Sequence, residues 1–465
     1  MMDRRLRWLP VLPLLWATTG CSLTPAFSLP EAPVPKQWPV VIAAEQSAPQ
    51  PPPWRAFYDN PLLQKLVSTA LESSRDLKAA TARMERARAL LGATHSSRWP
   101  TLQGEASQQS VRVPADLSAS GQPAISQRAD VGVRLPAFEL DFWGRLRSME
   151  EAARATYLAS EESMLAVQVI LISQVMETWL TWRGLSEQVV IAEAQWKAQQ
   201  AIGALVAQRE KAGIATAQGK WLAEIGVEGV RAELADLKRQ AALSLNALQL
   251  LTGESLDPLQ PWPALHDLVL AVKPPQSLPA QVLAARPDVR AAEHHLMAAN
   301  ANIGVARAAF WPRITLTSSV GSASQGLRGL FQPGSASWSF LPQLELPIFD
   351  FSRRQQEQAA VEAERAVLLA EYEKVLQQAF REVADGLTSH ESWLERLQAM
   401  AASRTAQRAR LALIRDRFQA GLDGRQAVLE AEQALHAIEQ QIRVAQRYCL
   451  INQVALYKAL GGGVH

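Results

Sequence analysis

The chain has 465 residues, 48% hydrophobic and 20% charged, with a net charge of +2. That is enough apolar material for a sizeable core, and the charge balance excludes a polybasic nucleic-acid binder and an acidic tail. Two cysteines cannot build a disulfide framework, and no C-x-x-C or H-E-x-x-H spacing offers a zinc site.

The first 20 residues read as a secretory signal. Arg4, Arg5 and Arg7 form a basic region, and Leu9 to Trp16 form a short apolar stretch interrupted by Pro10 and Pro13. Thr18-Thr19-Gly20-Cys21 follows, which resembles a bacterial lipoprotein cleavage site with Cys21 as the lipidated first residue. Thr18 stands where such sites usually carry leucine. Residues 21–53 are rich in Pro, Ala and Ser and end in Pro51-Pro52-Pro53, the composition of an extended tether.

Two stretches contain no proline, 137–257 and 348–465. Proline inside a helix costs about 3 kcal/mol, so its absence over more than a hundred residues marks helical arms. Heptads run through both arms. Leu165, Val169, Ile172, Met176 and Trp179 step by four and three in the first, as do Leu376, Phe380, Val383 and Leu387 in the second. A repeat of 3.5 residues is a coiled-coil seam. A second seam, Val428 to Ala459, puts Cys449 on a packed face as a small buried hydrophobe. Trp179, Trp182, Trp196 and Trp221 are read as helix packing.

Each arm breaks once, at Arg209-Glu210-Lys211-Ala212-Gly213 and at Arg417-Phe418-Gln419-Ala420-Gly421. Basic residues followed by glycine form a helix stop. Each arm is therefore two antiparallel helices, at about 145–211 and 217–252, then 352–419 and 425–460. The outgoing helices would each be about 100 Å long at 1.5 Å per residue.

The breaks lie 208 residues apart, and other motifs repeat near that period. Asp76-Leu77 is echoed by Asp288-Val289, and Trp99-Pro100 by Trp311-Pro312. The chain thus divides into two structural repeats, 54–257 and 258–465. Between the helices lie segments of period-two alternation, at about 101–113, 129–142, 312–323 and 336–349. Such segments suit either transmembrane strands or soluble hairpins half-buried on helices. Four strands cannot close in a bilayer, so a membrane reading requires several chains around one barrel.

Several motifs together resemble a known family. Trp54, Phe57, Asp59 and Leu66 resemble its opening helices, and Arg98-Trp99-Pro100 and Phe310-Trp311-Pro312 its helix-to-strand transitions. Glu139-Leu140-Asp141-Phe142-Trp143-Gly144-Arg145, the stretch Ala285-Arg286-Pro287-Asp288-Val289-Arg290, and the terminal Leu456-Tyr457-Lys458-Ala459-Leu460-Gly461-Gly462-Gly463 complete the set. The chain resembles the TolC-like outer-membrane factors of bacterial efflux systems, most closely their lipoprotein (OprM/NodT-type) branch.

That resemblance implies a mainly α fold with a membrane β-barrel contribution, a TolC-like α-barrel plus four strands per chain of a twelve-stranded trimeric barrel. It implies a homotrimer in the bacterial outer membrane, lipid-anchored and with a long periplasmic domain. The trimer would serve as a passive duct docked to a periplasmic adaptor and an inner-membrane efflux transporter, with no catalytic residues and no cofactor. Arg209, Gly213, Arg417 and Gly421 become candidate adaptor contacts at the tips, and Asp416, Arg417 and Asp423 a candidate gate. The alternative from another class is a periplasmic coiled-coil structural lipoprotein without transport activity. A hydrolase is disfavoured because no G-x-S-x-G elbow is found.

Overall fold

The computed structural model describes residues 22–38, 52–268, 270 and 283–463. The expected signal over 1–20, Cys21 and much of the tether lie outside them. The helices are α1 (Trp54–Phe57), α2 (Pro61–Ser73), α3 (Arg75–Ser96), α4 (Arg145–Lys211), α5 (Ala217–Thr252), α6 (Pro287–Ala308), α7 (Arg353–Gln419) and α8 (Arg425–Ala459). The strands are β1 (Gln103–Val113), β2 (Ala124–Glu139), β3 (Arg313–Ser324) and β4 (Ala336–Glu345). The two proline-free stretches hold α4 with α5 and α7 with α8. The outgoing helices α4 and α7 have 67 residues each.

The strands form one antiparallel sheet in the order β1-β2-β3-β4. β2 begins earlier than its alternation suggests, because Ala124 to Arg128 pair with Val113 to Gln109 of β1. β4 ends earlier, at Glu345. Pro347 has no N–H to donate, and Leu346 and Ile348 continue the alternation outside any ladder, both exposed. Pro136 is tolerated in β2 because it sits in a bulge between Leu135 and Phe138, beside Ala137 at φ 36°.

Two compact units result, and they cut across the sequence repeats. Among the described residues, one comprises 22–31, 83–161 and 291–372, and the other 32–38, 52–82, 162–268, 270, 283–290 and 373–463. Each repeat contributes to both. The physical reason is the β2–β3 ladder, which joins a strand of the first repeat to one of the second.

In the first unit, charged and aromatic groups secure the strand–helix junctions. Glu139 accepts from Arg145 Nε at 2.7 Å and from Arg313 Nε at 2.7 Å. Trp143 Nε1 donates to Pro312 O at 2.8 Å, and its ring stacks on Trp311 with centroids 4.5 Å apart. The tether packs here as well. Thr24 Oγ1 lies 2.9 Å from Ser148 Oγ, and Asn300 Nδ2 donates to Pro25 O at 2.8 Å.

The second unit has an aromatic core. Trp179 and Trp182 meet Trp262, and Phe57 stacks on Tyr457 at 4.2 Å. Tyr457 O–H donates to Pro52 O at 2.9 Å and its oxygen accepts from Gly463 N at 2.8 Å. Burial pushes this phenol up to about 12. Cys449 is a buried free thiol. Trp221, expected to pack between helices, is 59% exposed in the single chain, with Lys220 Nζ 5.5 Å from its ring centroid.

Candidate functional site

Two interhelical turns are built alike. After α4, Ile214 N donates to Arg209 O at 2.8 Å and Gly213 adopts φ +71°. After α7, Leu422 N donates to Arg417 O at 2.9 Å and Gly421 adopts φ +73°. The left-handed region costs other residues about 1–2 kcal/mol, so glycine is the residue the turn requires. Both turns present an apolar knob directly after the glycine. Ile214 and Leu422 are each 68% exposed. Sequence reasoning passed over these two, although their placement one residue after each glycine was a readable signal.

The turns differ in their charges. Arg417 donates to Asp423 through Nε at 2.8 Å and Nη2 at 3.1 Å. That fork holds the Asp423 carboxyl below its ordinary range. In the first turn Ala215 occupies the place equivalent to Asp423, and Arg209 has no acidic partner among the described residues. Asp416 is exposed and unpaired among the described residues. The three candidate gate residues therefore divide into an intrachain pair and one free carboxylate. Cys21 lies outside the described residues.

Arg286 is a hub the sequence reading did not assign a role. Its Nε and Nη2 donate to the Asp288 carboxylate at 3.0 and 2.7 Å, Nη2 also to Glu382 at 2.9 Å, and Nη1 to Ala459 O at 2.8 Å. Burial alone would lower its pKa, but the bonds and charges of Asp288 and Glu382 outweigh that and hold it above the ordinary value. Two of the quoted motifs meet here, the stretch around Pro287 and the end of α8.

The sheet has two chemically distinct faces. One carries Glu105, Ser107, Arg128, Asp130, Arg134 and Ser319. Its charges pair with each other: Arg128 with Asp130 at 2.8 Å and Arg134 with Glu105 at 3.5 Å. The other carries Val133, Val320 and Trp338 in register across three strands, with Phe340 and Leu344 further along β4. All five are exposed, Trp338 at 79%. An apolar face of this extent on a ladder polar on its reverse is the wall of a membrane barrel, one side to lipid and one to water.

The comparisons with known proteins agree with this wall. The family model described as outer membrane efflux protein matches residues 66–254 and 278–462. The chain belongs to the outer membrane efflux protein family. It is 39% identical over 461 residues to the solvent efflux pump outer membrane protein SrpC of Pseudomonas putida, covering 98% of each chain. It is 36% identical over 452 residues to the cation efflux system protein CusC of Escherichia coli O157:H7, covering 96% of each. Its fold is similar to the open state of the MtrE outer membrane channel of Neisseria gonorrhoeae, with a TM-score of 0.85 and 31% identity, covering 96% of this chain and 99% of that one. As a member of this family the protein is a bacterial outer-membrane efflux channel component. The sheet is its membrane part, and α4, α5, α7 and α8 are its long helices.

Proposed function

We propose that three copies of this outer membrane efflux protein close one barrel and form a passive duct. The duct would receive substrates from an inner-membrane transporter through a periplasmic adaptor. One observation carries the reading: the sheet is amphiphilic, and both of its edge strands, β1 and β4, are open. An open edge in hydrocarbon leaves backbone groups unpaired, at several kcal/mol each. Joining β1 of one copy to β4 of the next removes that cost. Two copies of four strands give eight, a barrel whose interior side chains fill, whereas three give twelve and a lumen. The polar face would line that lumen. Its charges neutralise one another in pairs, which suits a conduit whose cargo is chosen by the pump.

The two turns supply the adaptor contact in this reading, through Arg209, Gly213, Arg417 and Gly421 and the exposed Ile214 and Leu422. The test is complementation of an efflux-deficient strain that expresses the adaptor and pump, with size measured in detergent alongside. The wild type is expected as a trimer that restores resistance. The Gly213→Pro and Gly421→Pro double variant is expected to remain a trimer and to lose resistance. A monomeric wild type would remove the barrel, and full resistance from the double variant would remove the contact.

Asp416 is the candidate gate residue, with Arg417 and Asp423 fixing the turn beside it. Three copies would bring three such carboxylates to the tip, and rings of charge control passage through a narrow opening. Single-channel conductance of Asp416→Ala is expected to differ from wild type, and an identical trace would sink the assignment. Cys21 is proposed as the lipid anchor. Thr24, three residues later, is fixed to Ser148 in the first turns of α4, next to the strand–helix junction where a membrane surface would lie. Palmitate incorporation is expected in wild type and absent in Cys21→Ala; equal labelling of both would dismiss the anchor.

A further inference from the structure

The apolar face of the sheet ends in a loop that folds back onto it. All four strand–helix junctions lie at one end of the sheet, so the β1–β2 and β3–β4 connections, 114–123 and 325–335, lie at the other. The long helices are periplasmic, as the family requires, which puts these two connections at the outer leaflet. Alternation from Val320 carries the side chains of Ser322 and Ser324 onto its apolar face. Both hold the second connection there. Ser322 Oγ and Ser335 Oγ donate to the Leu330 carbonyl, the latter at 2.9 Å, and Ser324 Oγ donates to Gly326 O at 2.6 Å. Gly329 crosses so close that an added Cβ would meet Ser324 Cβ at 3.2 Å. Ala129, which pairs with Ser324, is the one buried residue of the four strands, and Leu330 is the one buried residue of the loop.

The fold-back leaves Leu327, Arg328 and Phe331 uncovered, the two apolar side chains at 63% and 82% exposure. Arg328 has no acidic partner among the described residues, and the loop from Gln325 to Ser335 contains no carboxylate. Charge on the apolar face is confined to the same end. Its strand residues, from Gly104 on β1 to Leu344 on β4, include one charge, Arg112, one residue from the end of β1. Arg112 is also exposed and without an acidic partner among the described residues. A cation on the lipid face of a barrel is strongly unfavourable at the bilayer midplane and nearly free at the interface. Both arginines thus belong at the level where acyl chains meet headgroups.

We propose that the 325–335 loop is a docking site for a phosphorylated, acylated lipid of the outer leaflet. Leu327 and Phe331 lie against its acyl chains, Arg328 takes its phosphate, and Arg112 is a second cation on the same face. A guanidinium fork matches phosphate oxygens in pairs, which a free arginine beside no carboxylate is placed to do. The occupant is a lipid and not a soluble anion because the cation stands between apolar side chains, on a surface continuous with the lipid face of the barrel. The site rests on the sheet being the membrane part of the protein and not on the number of copies.

The test is lipid retention by the full-length protein in mild detergent, read by native mass spectrometry with diphosphorylated lipid A as the probe. The wild type is expected to retain it and to retain dephosphorylated lipid A far less. Arg328→Gln should weaken retention about five-fold, the loss expected for one arginine at an anionic lipid surface, and Arg112→Gln combined with it should weaken retention further. Excess inorganic phosphate should not displace the lipid. Equal retention of the two lipids, or equal retention by the wild type and the double variant, overturns the site. Displacement by phosphate makes it a small-anion site and overturns the lipid. A spin label on Phe331→Cys, compared with unsubstituted protein treated alike in vesicles containing lipid A, gives a second measurement. It is expected to be accessible to oxygen and shielded from a water-soluble nickel complex, and a label open to water overturns the docking.

Discussion

Gly321→Val is expected to remove most of the folded protein from the outer-membrane fraction. Gly321 and Gly132 face each other across β3 and β2. A Cβ on Gly321 would lie 2.6 Å from Gly132 Cα and closer still to the Val131 carbonyl oxygen. Both obstacles are backbone, so no rotamer change clears them. The strands must separate or slip, and a slip of one residue between β2 and β3 turns β1 and β2 over relative to β3 and β4, with Val133 toward water and Glu105 and Asp130 toward lipid. The cost should reach the upper end of overpacking penalties, about 3 kcal/mol or more. Gly104→Val is the control. It adds the same atoms on the apolar face of β1, where nothing lies within 4 Å of a new Cβ. The measurement is the yield of heat-modifiable oligomer in the membrane fraction. Equal yields from the two variants would show that the Gly–Gly contact does not set the register.

Arg286→Ala is expected to cost about 2–3 kcal/mol. Breaking a buried charge pair typically costs about 3–5 kcal/mol, and the partial exposure of Asp288 and Glu382 reduces that. The Ala459 carbonyl, one of the last of α8, also loses its donor. The loss should be local first. Gly461 sits against Arg286, and Gly463 closes the bridge to Pro53. Limited proteolysis should therefore release the C-terminus before the melting temperature of the whole protein falls. Arg286→Lys keeps the charge but not the planar fork, and should fall between wild type and alanine. Unchanged proteolysis and melting in Arg286→Ala would mean the hub contributes nothing measurable.

Much of the fold class was legible without coordinates, for local reasons. Proline absence and heptads are properties of single helices, and they announced the long limbs later found as α4 and α7. Glycine after a basic last turn announced the two stops, and positive φ at Gly213 and Gly421 gives the cause. Strand alternation was legible too, but not its ends. β2 gains Ala124 to Arg128 because β1 is there to pair with them, a partner no local pattern reveals. Trp221 shows the converse: the indole expected to pack between helices is exposed in the single chain, which no local pattern reveals.

The candidate site was half legible. The turn glycines were found from their spacing, but the pairing of Arg417 with Asp423 depended on how the backbone folds back over six residues. The role of Arg286 depended on α7 and α8 arriving from distant parts of the chain, 96 and 173 residues away.

The sequence by itself determined the repeated unit of strands followed by long helices, because periodicity and helix stops are written within a few turns of chain. Only the tertiary structure decided how the repeats share their parts. Hydrogen bonding between β2 and β3 merges the two repeats into one sheet, and side-chain placement across that ladder separates a polar face from an apolar one. Those contacts are long-range, and the free energy that selects them comes from burial between segments that local sequence patterns treat as independent.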